Sequence, residues 1–95
     1  MHQKLNEEGW WGFLNLCLKA KSPEKLKQLL DLFLTIEEKE TVAQRYLIIK
    51  ALQEGKLTQR KIADHFGVSI SQITRGSNAL KIIDASLKKT LESLK

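Results

Sequence analysis

Apolar residues recur along this chain with the 3.6-residue period of amphipathic helices, and nowhere with the alternation of a strand. Trp10, Phe13, Leu14, Cys17 and Leu18 stand at i, i+3, i+4, i+7 and i+8, which predicts a first helix from about Asn6 to Ala20. Trp11 and Leu16 fall off that stripe, so the helix is expected to be covered on two sides. Ser22 as cap and Pro23 in the first turn open a second helix, striped by Leu26, Leu29, Leu30 and Phe33. Thr35 with Glu38 forms a capping box for the longest helix, which Gly55 stops after about Glu54. Its apolar positions, Val42, Ala43, Tyr46, Leu47, Ile49 and Leu52, span too broad an arc for a single neighbour.

The stretch from Thr58 to Lys81, TQRKIADHFGVSISQITRGSNALK, carries the clearest pattern. Ile62, Ala63 and Phe66 give a short helix one apolar face, and the small Ala63 lets a second helix cross closely. Gly67 supplies the left-handed turn, and Val68 is expected as a buried elbow. Ser69 and Gln72 are spaced as a capping box for the next helix, with Ile70, Ile73 and Ala79 or Leu80 left for packing. This is a helix-turn-helix pattern. Its polar positions, Gln59, Arg60, Ser69, Ser71, Gln72, Thr74 and Arg75, are suited to phosphates and base edges. Gly76 breaks the pattern, since a glycine inside a helix costs about 1 kcal/mol relative to alanine. It is expected where something approaches the backbone, a first hint of a ligand. Asp84 caps a last short helix with Leu87, Leu91 and Leu94 turned inward. The expected fold is therefore all-α, with six helices and no strands.

Charge sharpens this picture. The net charge is +5, and it is segregated. Met1 to Gly55 holds eight Lys+Arg and eight Asp+Glu, whereas Lys56 to Lys95 holds eight and three. The whole excess lies with the helix-turn-helix, as in a neutral oligomerisation body (1–55) joined to a basic reading head (58–81) and a C-terminal helix (84–94). At 95 residues the chain makes one domain with limited burial of its own, so a dimer is expected. A single cysteine, Cys17, allows no internal disulfide and reads as a small core residue. No apolar run is long enough to span a bilayer, and MHQKLNEEG lacks a signal-peptide layout, so a cytoplasmic protein is expected.

Catalysis finds no support. His2 and His65 lie far apart, one cysteine makes no metal set, Ser77 has no nucleophile setting, and there is no glycine-rich phosphate loop. What needs a reason is a polar trio. Arg45 sits among apolar helix positions, Thr35 ends the second helix, and Arg75 precedes the odd glycine. Two guanidinium groups could hold a flat anion by charge and by stacking.

From Leu32 to Lys81 the chain resembles the Trp repressor family, above all in ITRGSN followed by Ala-Leu-Lys, in Thr35 before an acidic helix start, and in Arg45. The resemblance implies an intertwined homodimer that binds a palindromic operator DNA with L-tryptophan as corepressor. Carried over, Arg45 and Arg75 would flank the indole ring, Arg75 and Thr35 would hold its carboxylate, and Gly76 would allow close approach. Backbone carbonyls near Leu32 and Leu34 would accept the ammonium group. Arg60, Ile70, Ser71 and Thr74 would meet base edges, while Gln59, Gln72 and Lys81 would lie near phosphates, with Ser69 beside them.

Three positions depart from the family. Ala79 replaces a serine able to bond the ammonium group, a loss of about 1 kcal/mol. Ile36 replaces a proline. Ser69, Ser71 and Gln72 are bulkier and more polar than usual, which points to a different operator sequence. The remaining alternatives are a DNA-binding relative answering to another ligand or to none, and a helical protein-interaction module.

Overall fold

The computed structural model describes residues 2–94, all of them in helices or the turns between helices. The order is α1 (His2–Cys17), α2 (Pro23–Phe33), α3 (Ile36–Glu54), α4 (Gln59–Phe66), α5 (Ile70–Ile82) and α6 (Ala85–Glu92). The expected all-α, six-helix class is what the chain adopts. No strand occurs among the described residues.

Local chemistry sets most of the boundaries. The Ser22 hydroxyl accepts from the Lys25 N–H at 3.2 Å, with Pro23 opening α2. Thr58 caps α4 the same way through Lys61, and the Asp84 carboxylate caps α6 through the Leu87 N–H at 2.8 Å. Gly55 and Gly67 both take left-handed backbone angles, φ 67° and φ 65°, where a Cβ would be strained. Two boundaries differ from the sequence reading. Helix α1 begins four residues earlier than the pattern predicts, and it ends at Cys17 rather than near Ala20. There the Lys19 and Ala20 N–H groups turn to the Leu16 and Cys17 carbonyls, a tightened last turn that closes the helix.

Ser69 is the second correction. It stands at the N-cap of α5 in extended conformation, but its hydroxyl makes no cap bond. The Ser69 and Ser71 hydroxyls lie 2.9 Å apart, and the Gln72 N–H is taken by the Ser69 carbonyl at 3.1 Å. A serine side chain that finds a neighbour two residues on has no geometry left for the capping box.

The chain forms two compact units, one ending at Glu37 and one beginning at Glu38. In the first, Trp10 stacks on Phe13 at 5.7 Å, and Phe13 meets Phe33 edge-on at 5.3 Å. These rings border an open apolar groove with Leu5, Gly9 and Leu34. In the second, Ile48 from α3, Ile62 and Ala63 from α4, and Ile73 from α5 form the buried core. Ala51, Leu52, Phe66 and Val68 are half-buried against it. Val68 is thus a partly covered elbow rather than a fully buried one.

Much of the expected packing is exposed within one chain. Trp10 and Trp11 on α1, Leu18 just after it, Val42, Tyr46 and Leu47 on α3, and Leu87 on α6 are all exposed. Ile48, which the periodicity had left out, is the α3 residue that is buried, at 2 % exposure. Apolar groups surround α3 on several sides, so spacing alone could not say which side the second unit covers. No helix among the described residues is long and apolar enough to cross a membrane.

Candidate nucleic-acid interface and ligand cleft

Helices α4 and α5 pack on each other through Ile62, Ala63 and Ile73, which fixes their outer faces as one surface. Gln59, Arg60, Ser69, Ile70, Ser71, Gln72, Thr74 and Lys81 are every one exposed, Gln72 toward the cleft described below. Two contacts hold parts of this surface in register. Thr74 Oγ1 lies 3.1 Å from the Ile70 carbonyl and 3.4 Å from Gln59 Oε1, so one hydroxyl hydrogen serves a bond within α5 and a link to α4. The Ser69–Ser71 hydroxyl pair stands at the start of α5, where the first N–H groups point outward. Ile70, expected partly as a packing residue, is 48 % exposed and belongs to this surface instead.

On the other side of α5 lies a cleft of about 170 Å³, walled by α3 and α5. Thr41, Gln44, Arg45, Ile48 and Ile49 line it from α3; Gln72, Arg75 and Gly76 line it from α5. The α3 residues share one face because they fall at i, i+3, i+4, i+7 and i+8. The floor is apolar and the rim polar. Among the described residues no ion pair or side-chain hydrogen bond engages either Arg45 or Arg75. Two unneutralised guanidinium groups over an aliphatic floor suit an anion with a flat apolar body.

The structure therefore brings together Arg45, Arg75 and Gly76, three of the expected ligand residues. Ala79 is exposed on α5 and outside that lining. Leu32, Leu34 and Thr35 belong to the first unit, at and just after the end of α2. Gln44, Thr41 and Ile49 were not singled out as ligand residues. The signal that finds Gln44 is simple: it precedes Arg45 and lies one turn before the buried Ile48.

Gly76 is where the sequence reading expects a close approach to the backbone. It is buried, with ordinary helical angles, and what approaches it is α3. A Cβ there would meet Ile48 Cγ2 and Leu52 Cδ1 at 3.4 Å and Ile49 Cδ1 at 3.5 Å, ordinary contact distances. Packing within the chain thus has room for a methyl group. Gly76→Ala is expected to keep stability or raise it by up to about 1 kcal/mol, because alanine restricts the unfolded chain and favours the helix. Urea denaturation measures this; a loss beyond about 1 kcal/mol would show that the three aliphatic neighbours cannot give way.

No cluster of three or more His, Cys, Asp or Glu side chains that could hold a metal ion occurs among the described residues. His65 is exposed beside Phe66, and Cys17 is half-buried in α1.

Comparison with known proteins gives a consistent answer. A family model described as Trp repressor protein matches residues 8–95. A Trp operon repressor homolog of Chlamydia caviae is 54 % identical over 94 residues, covering 99 % of this chain and 93 % of that protein. One from Chlamydia trachomatis serovar D is 55 % identical over 86 residues, covering 90 % and 92 %. A more distant one from Vibrio cholerae serotype O1 is 36 % identical over 94 residues, covering 99 % and 91 %.

Proposed function

The chain belongs to the Trp repressor family, and on that premise we propose that it is a dimeric transcriptional repressor that binds operator DNA with L-tryptophan as corepressor. Members of this family are DNA-binding repressors rather than enzymes. The observation that carries the tryptophan reading is the cleft between α3 and α5, with Arg45 and Arg75 unpaired among the described residues over Ile48, Ile49 and Gly76. An amino acid with a flat ring would lay that ring between the guanidinium planes. Its carboxylate would take charge-assisted bonds from Arg75 and Thr35. Backbone carbonyls at Leu32 and Leu34 would receive its ammonium group, without help from Ala79. With the ligand wedged against α5, the tilt of the reading head, and so the spacing of the two recognition helices in the dimer, would be set by occupancy.

The DNA face would use Arg60, Ile70, Ser71 and Thr74 at base edges, with Gln59, Ser69, Gln72 and Lys81 toward phosphates. The basic excess after Gly55 supports this face, and affinity is expected to fall steeply with salt. Residues 1–55 would form the dimerisation core, 58–81 the reading head and 84–94 a closing helix. Exposed Trp10, Trp11, Leu18, Val42, Tyr46 and Leu47 support an interlocked homodimer in which they are covered.

The test is operator binding by the wild-type protein with and without L-tryptophan, beside sedimentation at micromolar concentration. Tryptophan is expected to tighten operator binding, and the protein to sediment as a dimer. Equal operator affinity in both conditions would replace the corepressor reading with a ligand-independent regulator, and a stable folded monomer would remove the interlocked dimer.

A further inference from the structure

The cleft holds two side chains that the proposed function leaves without a task toward the ligand. Gln44 stands on the α3 wall and Gln72 on the α5 wall. Gln44 lies one helical turn before Ile48 and Gln72 one turn before Gly76, the residues at which α3 and α5 meet, and both line the same cleft. Neither side-chain amide has a hydrogen-bond partner among the described residues.

The chemistry of the remaining lining gives these amides a role. Arginine side chains donate hydrogen bonds and accept none. Ile48, Ile49 and Gly76 offer no side-chain polar atom, and Thr41, which offers a hydroxyl, already has an interaction within the chain. The amide oxygens of Gln44 and Gln72 are the side-chain carbonyl acceptors of the lining, and neither is taken up within the chain among the described residues. An indole carries a single ring N–H, a donor with no acceptor character. Enclosing it without an acceptor forfeits its bond to water. A carboxylate at either position would compete with the ligand's own carboxylate for the two guanidinium groups. A neutral amide accepts the N–H and leaves both positive charges available.

We infer that the Gln44 and Gln72 amides form a pair that reads the ring N–H of the bound amino acid, and so selects an indole over aromatic rings of the same shape that lack the N–H. This rests on the tryptophan reading of the cleft. It makes both glutamines specificity-determining residues, one from each wall.

The experiment is a calorimetric titration without DNA, so that any role of Gln72 at phosphates stays out of the measurement. Wild type, Gln44→Leu and Gln72→Leu are each titrated with L-tryptophan and with 3-benzothienyl-L-alanine, in which sulfur replaces the ring N–H. Wild type is expected to prefer tryptophan by about three- to tenfold, the worth of one ordinary hydrogen bond. Both leucine variants should lose that preference by weakening tryptophan alone. Gln44→Met and Gln72→Met, nearer in shape, serve as second variants where a leucine lowers the melting temperature. If either position keeps the wild-type preference, or if the two ligands weaken in parallel, the paired reading is overturned. Wild type binding both ligands equally would overturn it while the tryptophan reading stands; wild type binding neither would overturn both.

Discussion

Arg45→Ala is expected to abolish the tryptophan response while leaving the affinity of the ligand-free protein for DNA where it was. Arg45 lies on α3 and lines the cleft, whereas every candidate DNA residue lies on α4 or α5 or begins α5. Removing it takes away one of two positive charges and one of two planes flanking the ring, and disturbs nothing on the reading surface. Coupling between an effector site and a second site typically amounts to about 1–3 kcal/mol. With two sites per dimer, tryptophan would tighten wild-type operator binding by roughly 30-fold to 10⁴-fold, and Arg45→Ala would flatten that ratio toward one. Arg75→Ala makes the useful contrast. That residue lines the same cleft from α5, the proposed recognition helix, so its loss should weaken ligand-free DNA binding as well. Operator titrations of the three proteins, each with and without tryptophan, decide the matter. An Arg45→Ala protein that still answers to tryptophan like wild type would remove Arg45 from the switch.

The elements of this fold were legible where a boundary depends on local chemistry. Ser22 with Pro23, Gly55, Gly67 and Asp84 each act through bonds or backbone angles within a few residues, and each stands where its chemistry demands. Arg45 was legible for another reason: a guanidinium among apolar helix neighbours must find a polar opening, and it lines the cleft. What failed was inference across longer range. Ile48 could not be told from Leu47 by spacing, because α3 is apolar on several sides and only its neighbours α4 and α5 choose between them. At Gly76 a close approach to the backbone was legible, but not that α3 side chains make that approach within the chain beside the cleft. Ser69 obeyed the capping-box spacing and still bonded to Ser71, since two short hydroxyl side chains near each other offer competing local partners.

Ile73→Ala is expected to cost about 2–5 kcal/mol of folding stability, and Ile70→Ala much less, although the two residues sit three apart on α5 and looked alike in the sequence. Ile73 is 0 % exposed and meets the small core of Ile48, Ile62 and Ala63 that joins α3, α4 and α5. Truncating it removes buried aliphatic surface and leaves a cavity between three helices, which relax only partly. A whole domain is stable by only about 5–15 kcal/mol, so this single change removes a large share. It also loosens α4 against α5 and with them the surface carrying Arg60 and Thr74, so DNA binding should fall together with stability. Ile70 reverses the order of effects. At 48 % exposure it contributes little to the core, and its loss should weaken operator binding in a protein that melts near the wild-type temperature. Both variants are compared by denaturant unfolding at one fixed protein concentration, since the proposed dimer makes stability depend on concentration. Equal losses of stability at the two positions would mean that Ile70 is covered when the protein assembles. The DNA surface would then have to be drawn without it.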